Sequence, residues 1–445
     1  MKPGAETAIA ADAVEIRRGT WRSIAQNTSW LLLGKIVGAV LSLIYLGLAT
    51  RALGKTGFGQ FVIILGTGQT IAALVSFETW QILLRFGMDR VDAARRDTLG
   101  RLVAFCMMLD LTGVFVGTAL AVVGVQLLAP FFGWSEAVAH DALIFCILLL
   151  ISERSAPTGI LRLFNRFGIA AFAETITPVV RLIGALIVVS LGASVRGLLA
   201  AWAVAELATA ATHWILALRL IPLRARWWNV AGLRGVPGEH PGLWRFAGIV
   251  NATSTFALVG KQIAVLLVGA SVGAAAAGGY RIAHQLGQAL ANISEMLSRA
   301  TFTELMRARA TQSAQELALL FRRASLMAAL TASVMIAIML VLGKLLLSVL
   351  GGGQYAAAYP LVLLLGTAAA LDAAGVSFEP ALLATGRAWS AFRLRLISGG
   401  SLLASLFLAL KFGDTTTAAI ATCSVSFLTL AIFGITSWRA IHAHE

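Results

Sequence analysis

The chain has 445 residues, is 58% hydrophobic and is charged at only 13% of positions, against about 25% for a soluble domain. That balance excludes a soluble globular protein and predicts an all-α polytopic membrane protein. A net charge of +14 brings nucleic acid to mind as a partner, and the placement of the charge along the chain argues against it.

The first twenty residues contain Glu6, Asp12 and Glu15 and lack an apolar core, so they read as a short cytosolic tail instead of a signal peptide. Apolar stretches of about 20 residues then predict twelve helices. They begin near Thr28, Gln60, Leu102, His140, Phe172, Gly197, Phe246, Tyr280, Ala324, Ala356, Phe392 and Thr416. With the N-terminus inside, most Lys and Arg fall on the inner side, among them Arg85, Arg101, Arg219, Arg245, Arg307 and Arg322. Only Arg51, Lys55, Arg196 and Lys411 fall outside. This asymmetry is the positive-inside rule and predicts cytoplasmic N- and C-termini.

Pro222, Pro237, Pro241 and the pair Trp227-Trp228 mark a compositional break. The predicted division is an N-terminal six-helix lobe over 1–220, a cytoplasmic interfacial linker over 221–243 and a C-terminal six-helix lobe over 244–445. A faint repeat supports it. Trp21-Arg22 and Trp244-Arg245 open the halves, and Gly57-Phe58 and Gly279-Tyr280 follow after 36 and 35 residues. Because six is even, the two bundles form a parallel repeat, which places a binding site between them.

The eighth helix carries Arg281, His284, Gln285, Gln288, Asn292, Glu295 and Arg299, which at 100 degrees per residue share an arc of roughly 100 degrees. In a bilayer such a stripe faces the protein interior or a water-filled cavity. Asn251, Ser254, Thr255, Lys261 and Gln262 share a face of the seventh helix, Lys35 lies at the polar edge of the first, and Glu78 shares a face of the second with Gln60, Thr67 and Gln81. Cations inside a cavity suit an anionic substrate, while pairing of Lys35 and Lys261 with Glu78, Asp110 or Glu206 is the structural alternative.

Glu153-Arg154 and the pair Glu174 and Arg181 read as an ion-pair network. Glu206, Thr209 and His213 share a face of helix six. Asp372 and Glu379 share a face of helix ten; they would serve cation coupling by binding H+ or Na+, or would pair with Arg387, Arg393 or Lys344. Cys106, Cys146 and Cys423 lie in predicted spans with no metal spacing. No phosphate-binding or nucleophile–base pattern accompanies the glycine-rich turns. With outer loops this short, the chain does not read as an enzyme, and no cofactor or metal is expected beyond a coupling ion.

Three segments carry a resemblance: "NTSWLLLGKIVGAVLSLIYLGLATRALGKTGFGQF", "LRLFNRFGIAAFAETITPVVRLIGAL" and "GKQIAVLLVGASVGAAAAGGYRIAHQLGQAL". They resemble the polysaccharide-biosynthesis (Wzx-type) flippases of the multidrug/oligosaccharidyl-lipid/polysaccharide (MOP) exporter superfamily. The resemblance implies two six-helix bundles in a V that open alternately. It implies translocation of an undecaprenyl-diphosphate-linked oligosaccharide across the bacterial inner membrane, alongside polymerase and export components of a glycan pathway. Lys35, Lys261, Arg281, His284 and Arg51 would then engage the diphosphate, and Gln285, Gln288, Asn292, Glu295, Glu78 and Asn251 would meet the sugars. The polyprenyl tail would stay in lipid, passing a gap between helices one and eight. A lipid II flippase and a cation-coupled multidrug exporter are the rivals within the superfamily; a polymerase or ligase of the same pathway is the rival outside it.

Overall fold

A computed structural model describes residues 4–88, 96–221, 227, 229–291, 314–376, 378, 382 and 387–442, with side chains of 4–36, 256–261 and 314–321 outside the description. The described chain is helical throughout. Helix α1 (Gly4–Val75) would be far longer than a bilayer is thick, but Gly54 interrupts it at φ 69. That left-handed turn, which glycine adopts without a Cβ clash, folds α1 back as spans 1 and 2. Span 2 ends in α2 (Thr79–Gly87).

Span 3 is α3 (Arg96–Phe132). Span 4 is split into α4 (Glu136–Ile151) and α5 (Ser155–Leu163), and span 5 into α6 (Phe167–Glu174) and α7 (Ile176–Gly192). Span 6 is α8 (Val195–Leu220), and α9 (Val230–Glu239) lies in the linker. The second half runs through α10 (Leu243–Val272), α11 (274–291), α12 (Ala314–Gly351) and α13 (Tyr359–Ala374), with a 3-10 turn at Gly352–Ala358. It closes with α14 (Ala388–Phe412) and α15 (Thr415–His442). Counting the two arms of α1 separately and each broken pair once, the described residues make twelve helical segments in the order the sequence predicts, and seven stretches among them are long and apolar enough to cross a membrane.

Position in the bundle follows from which faces are covered. In the most apolar stretch of Val37–Gly87, 67% of residues are buried, against 11% in Phe167–Gly192 and Trp389–Phe412. Span 2 is therefore central, and spans 5 and 11 are peripheral. Without a hydrophobic drive between helices in lipid, contact depends on close approach of small residues. Gly184 meets Ala201, and Gly159 meets the Trp80 backbone.

The two ends of the bundle differ. At the Gly54 end one core runs across both halves, joining Tyr45, Phe58, Phe61 and Leu65 to Val265, Val268, Tyr280 and Leu361. At the Arg101 end the cores are separate. Ile82, Leu102, Ile160 and Trp227 form one, while Met335, Ala370 and Ala374, and Leu382 and Phe433, form others. Span 1 shows the same division: Val37, Val40 and Ile44 are exposed, whereas Tyr45, Leu46 and Ala49 are buried. Among the described residues, the core shared by both halves lies at the Gly54 end, and the cores at the Arg101 end are parted.

Span 7 bridges the parting. Phe246 lies edge-on to Phe86 at 5.9 Å, with the Arg85 guanidinium 4.6 Å from its ring, and Trp244 meets Phe105 at 5.7 Å. The Arg101–Glu239 pair at 3.0 Å ties the linker helix to span 3.

Candidate functional site

The polar side chains within the spans fall into three groups. The first lies on the seam between the halves. Gln262 of α10 donates through Nε2 to Gln69 Oε1 of span 2 at 2.7 Å, and its own Oε1 accepts from Arg281 Nη1 at 3.1 Å. Among the described residues, Arg281 has no carboxylate within ion-pair distance. His284, Gln285 and Gln288 continue its face of α11, all half-buried.

The second group occupies the breaks in spans 2 and 4. Glu78 is left-handed at φ 48 and takes the Trp80 indole N–H at 2.6 Å. Asp110 accepts from the Thr79 hydroxyl at 2.9 Å and from the Ala156 N–H at 3.1 Å. Glu153 accepts the N–H of Ser155 at 2.8 Å, and Ser155 Oγ accepts from Trp80 N at 3.1 Å. Each broken helix leaves backbone N–H groups without intrahelical partners, and in lipid these must be met from within the protein. Two carboxylates and a serine meet them here, at the N-terminal ends of α5 and α2. The carbonyls freed at the span 2 break are met from span 7: Asn251 Nδ2 donates to Ser76 O, and Thr255 Oγ1 to Ala73 O at 3.0 Å.

The third group is an ion-pair network in the first half. Arg154 donates to Glu206 at 2.9 Å and to Glu174 at 3.3 Å, and Arg181 donates to Glu206 at 2.8 Å. The network read from the sequence around Arg154, Glu174 and Arg181 therefore forms, with Glu206 of α8 as the counterion that its two arginines share. The Arg181 guanidinium also lies 3.3 Å from the centre of the Trp202 ring and 5.9 Å from that of Tyr45. His213 is fully buried, with Nδ1 2.9 Å from the Thr209 carbonyl and Nε2 3.5 Å from Glu174.

The remaining candidates are scattered. Arg51 stands at the Gly54 end, donating to the carbonyls of Val349 and, at 3.3 Å, Ser348 at the close of α12. Asp372 is exposed on α13, hydrogen-bonded to Ser426 and under the influence of Arg395. The Lys344 ammonium sits 5.1 Å from the Tyr359 ring. The Lys35 and Lys261 side chains, and Asn292, Glu295 and Glu379 altogether, lie outside the described residues. Their sequence alternatives Glu78, Asp110 and Glu206 take the partners above. Among the described residues no three His, Cys, Asp or Glu side chains come together as a metal site.

Sequence reasoning missed the helix breaks. Span 4 did carry a signal, Ser155 followed by Pro157 in the first turn of a new helix. Span 5 has Pro178 just after its break. Span 2 breaks at Ser76–Glu78 with neither glycine nor proline.

Comparison with known proteins sets this geometry in context. A family model described as "Polysaccharide biosynthesis protein" matches residues 24–302. "Inner membrane protein YghQ" of Escherichia coli (strain K12) is 28% identical over 352 residues, covering 77% of this chain and 97% of that protein. An inward-facing multidrug resistance MATE family transporter of the MOP superfamily superposes with a TM-score of 0.74 at 13% identity, over 91% of this chain and 95% of its own. The lipid II flippase MurJ, in an inward closed conformation, superposes at 0.62 and 11% identity, over 91% and 87%. These likenesses establish a shared fold.

Proposed function

The chain belongs to the polysaccharide biosynthesis protein family, and on that footing we propose that it is a flippase. It carries an undecaprenyl-diphosphate-linked oligosaccharide from the cytoplasmic to the periplasmic face of the bacterial inner membrane by alternating access. One observation carries this reading. Among the described residues Arg281 stands on the seam with no carboxylate at ion-pair distance, held by a glutamine ladder that crosses from one half to the other. A guanidinium at mid-membrane costs about 2.5–3.5 kcal/mol, and an anionic group bound between the halves offsets that cost.

In this scheme the Gly54 end is periplasmic and the parted end faces the cytoplasm, in keeping with the likeness to an inward-facing transporter. The diphosphate meets Arg281, with Lys35 and Lys261 as further cations. Gln285, Gln288, Asn292 and Glu295 offer hydrogen bonds to the sugars, and the polyprenyl tail remains in lipid. Asp372, exposed within a span, serves with Glu379 as the coupling carboxylate.

The test is flipping of a defined polyprenyl-diphosphate oligosaccharide by purified protein in liposomes. Arg281→Gln should slow it at least tenfold, which corresponds to about 1.4 kcal/mol of lost binding. Wild-type flipping by that variant would sink the reading. A second reading, a cation-coupled multidrug exporter, draws on the MATE likeness and on exposed Asp372. Efflux of a cationic dye with no movement of the lipid would favour it.

A further inference from the structure

His213 and Glu174 pose a chemical problem that neither the fold nor the seam resolves. A backbone carbonyl can only accept, so the Nδ1 that lies 2.9 Å from Thr209 O must carry the proton. A neutral imidazole then presents a lone pair at Nε2. That lone pair is buried without a hydrogen-bond partner and lies 3.5 Å from a carboxylate oxygen of Glu174. Two acceptors face one another, and only a proton between them turns the contact into a bond.

We propose that His213 and Glu174 form a proton-binding site that sets the charge of the whole network. The groups around it are few and named. Glu174 comes from the end of α6, Arg154 from the break in span 4, Arg162 from α5, Glu206 from the same helix as His213, and Arg181 from α7. Glu153 stands next along the chain from Arg154, and its carbonyl takes the Trp214 indole N–H at 3.2 Å.

With His213 neutral, two arginines, Arg154 and Arg181, balance two glutamates, Glu174 and Glu206. A proton on His213 Nε2 leaves the group with one excess positive charge. Glu174 then bonds the imidazolium and gives up part of its hold on Arg154. Arg154 turns more fully to Glu206, the carboxylate it shares with Arg181. Arg181, with less of Glu206, is left more cationic toward the seam and Arg281. A proton in the network and an anion on the seam therefore favour each other, by the same factor in either order. Glu174 is the less buried of the two glutamates, its side chain 49% exposed against 12% for Glu206.

The anion half of this inference rests on the flippase reading; the proton site does not, and the experiments separate them. Full-length protein labelled at its six histidines is titrated by NMR, with His213→Gln assigning the resonance. Over the pH range in which the protein stays folded, the ring should take up a proton at Nε2 on acidification with Nδ1 protonated throughout, and Glu174→Gln should make that uptake harder. Glu174→Asp should restore most of that uptake. A ring that stays neutral across that range, or titrates identically in Glu174→Gln, overturns the proton site. Inorganic diphosphate should raise the same midpoint, and an unmoved midpoint overturns the link to the seam. If the protein flips no polyprenyl-diphosphate oligosaccharide while the titration behaves as expected, the flippase reading fails and the proton site stands.

Discussion

Glu206→Gln is the sharpest test of the energetics. Glu206 accepts from Arg154 at 2.9 Å and from Arg181 at 2.8 Å, and its side chain is 12% exposed. The substitution keeps the shape and removes the charge, leaving two guanidiniums without their common counterion. Breaking a buried pair in this way costs about 3–5 kcal/mol. Glu174→Gln is the internal control. It has one arginine partner at 3.3 Å and a side chain 49% exposed, the regime in which an ion pair contributes about 0–1 kcal/mol. At about 2–4 °C per kcal/mol for a unit the size of one lobe, Glu206→Gln should lower the melting temperature in detergent by roughly 6–20 °C. Glu174→Gln should lower it by at most about 4 °C on the same scale. Replacing Arg181 and Glu206 together by methionine should recover much of the loss, because Arg154 then keeps Glu174 and no charge is stranded. If Glu206→Gln and Glu174→Gln melt alike, the buried network is not the source of stability argued here.

Other perturbations act at single contacts. A Cβ on Gly59 would sit 1.8 Å from the Ala274 carbonyl oxygen, so Gly59→Val should hold the Gly54 end open. In a background lacking Cys106, Cys146 and Cys423, a cysteine at Gln69 should then react with an impermeant maleimide from the periplasmic side about tenfold faster, the population change for 1.4 kcal/mol. Equal rates would show that the contact does not close that end. Arg51→Gln, which removes the donor to Val349 and Ser348, should act in the same direction more weakly. At the other end, a Cβ on Gly100 would fall 2.2 Å from the Trp227 ring. Gly100→Leu should therefore dislodge Trp227 and speed proteolysis in the linker; an unchanged cleavage rate would contradict the packing. Thr79→Val strips Asp110 of its hydroxyl donor and should cost about 1–3 kcal/mol, read as a fall in melting temperature.

The order and number of the spans were legible because each must supply about 20 apolar residues, a requirement that no tertiary contact relaxes. The seam face of span 8 was legible for a related reason: Arg281, Gln285 and Gln288 recur with the helical period, and only a non-lipid surface tolerates them. Partner choice was another matter. Arg154, Glu174 and Arg181 were read as one ion-pair network, yet Glu206, the carboxylate that joins its two arginines, comes from a different helix. Spacing within one helix cannot register such a choice. The break at Glu78 is stabilised by Trp80, Thr79 and Ser155 and by side chains from spans 3 and 7, so its cause is spread over the fold.

The donors that span 7 lends to span 2 change which parts of the molecule can travel together. Asn251 and Thr255 satisfy carbonyls that the broken helix has released, and a bilayer offers those carbonyls no substitute partner. While these bonds hold, the early part of span 7 moves with spans 1 to 6, although in sequence it heads the second half. Any rocking of one half against the other must then be absorbed by flexure within span 7, downstream of Thr255. The mechanical joint of the protein would sit inside a membrane helix, and the proline-bearing linker that divides the sequence would be a tether.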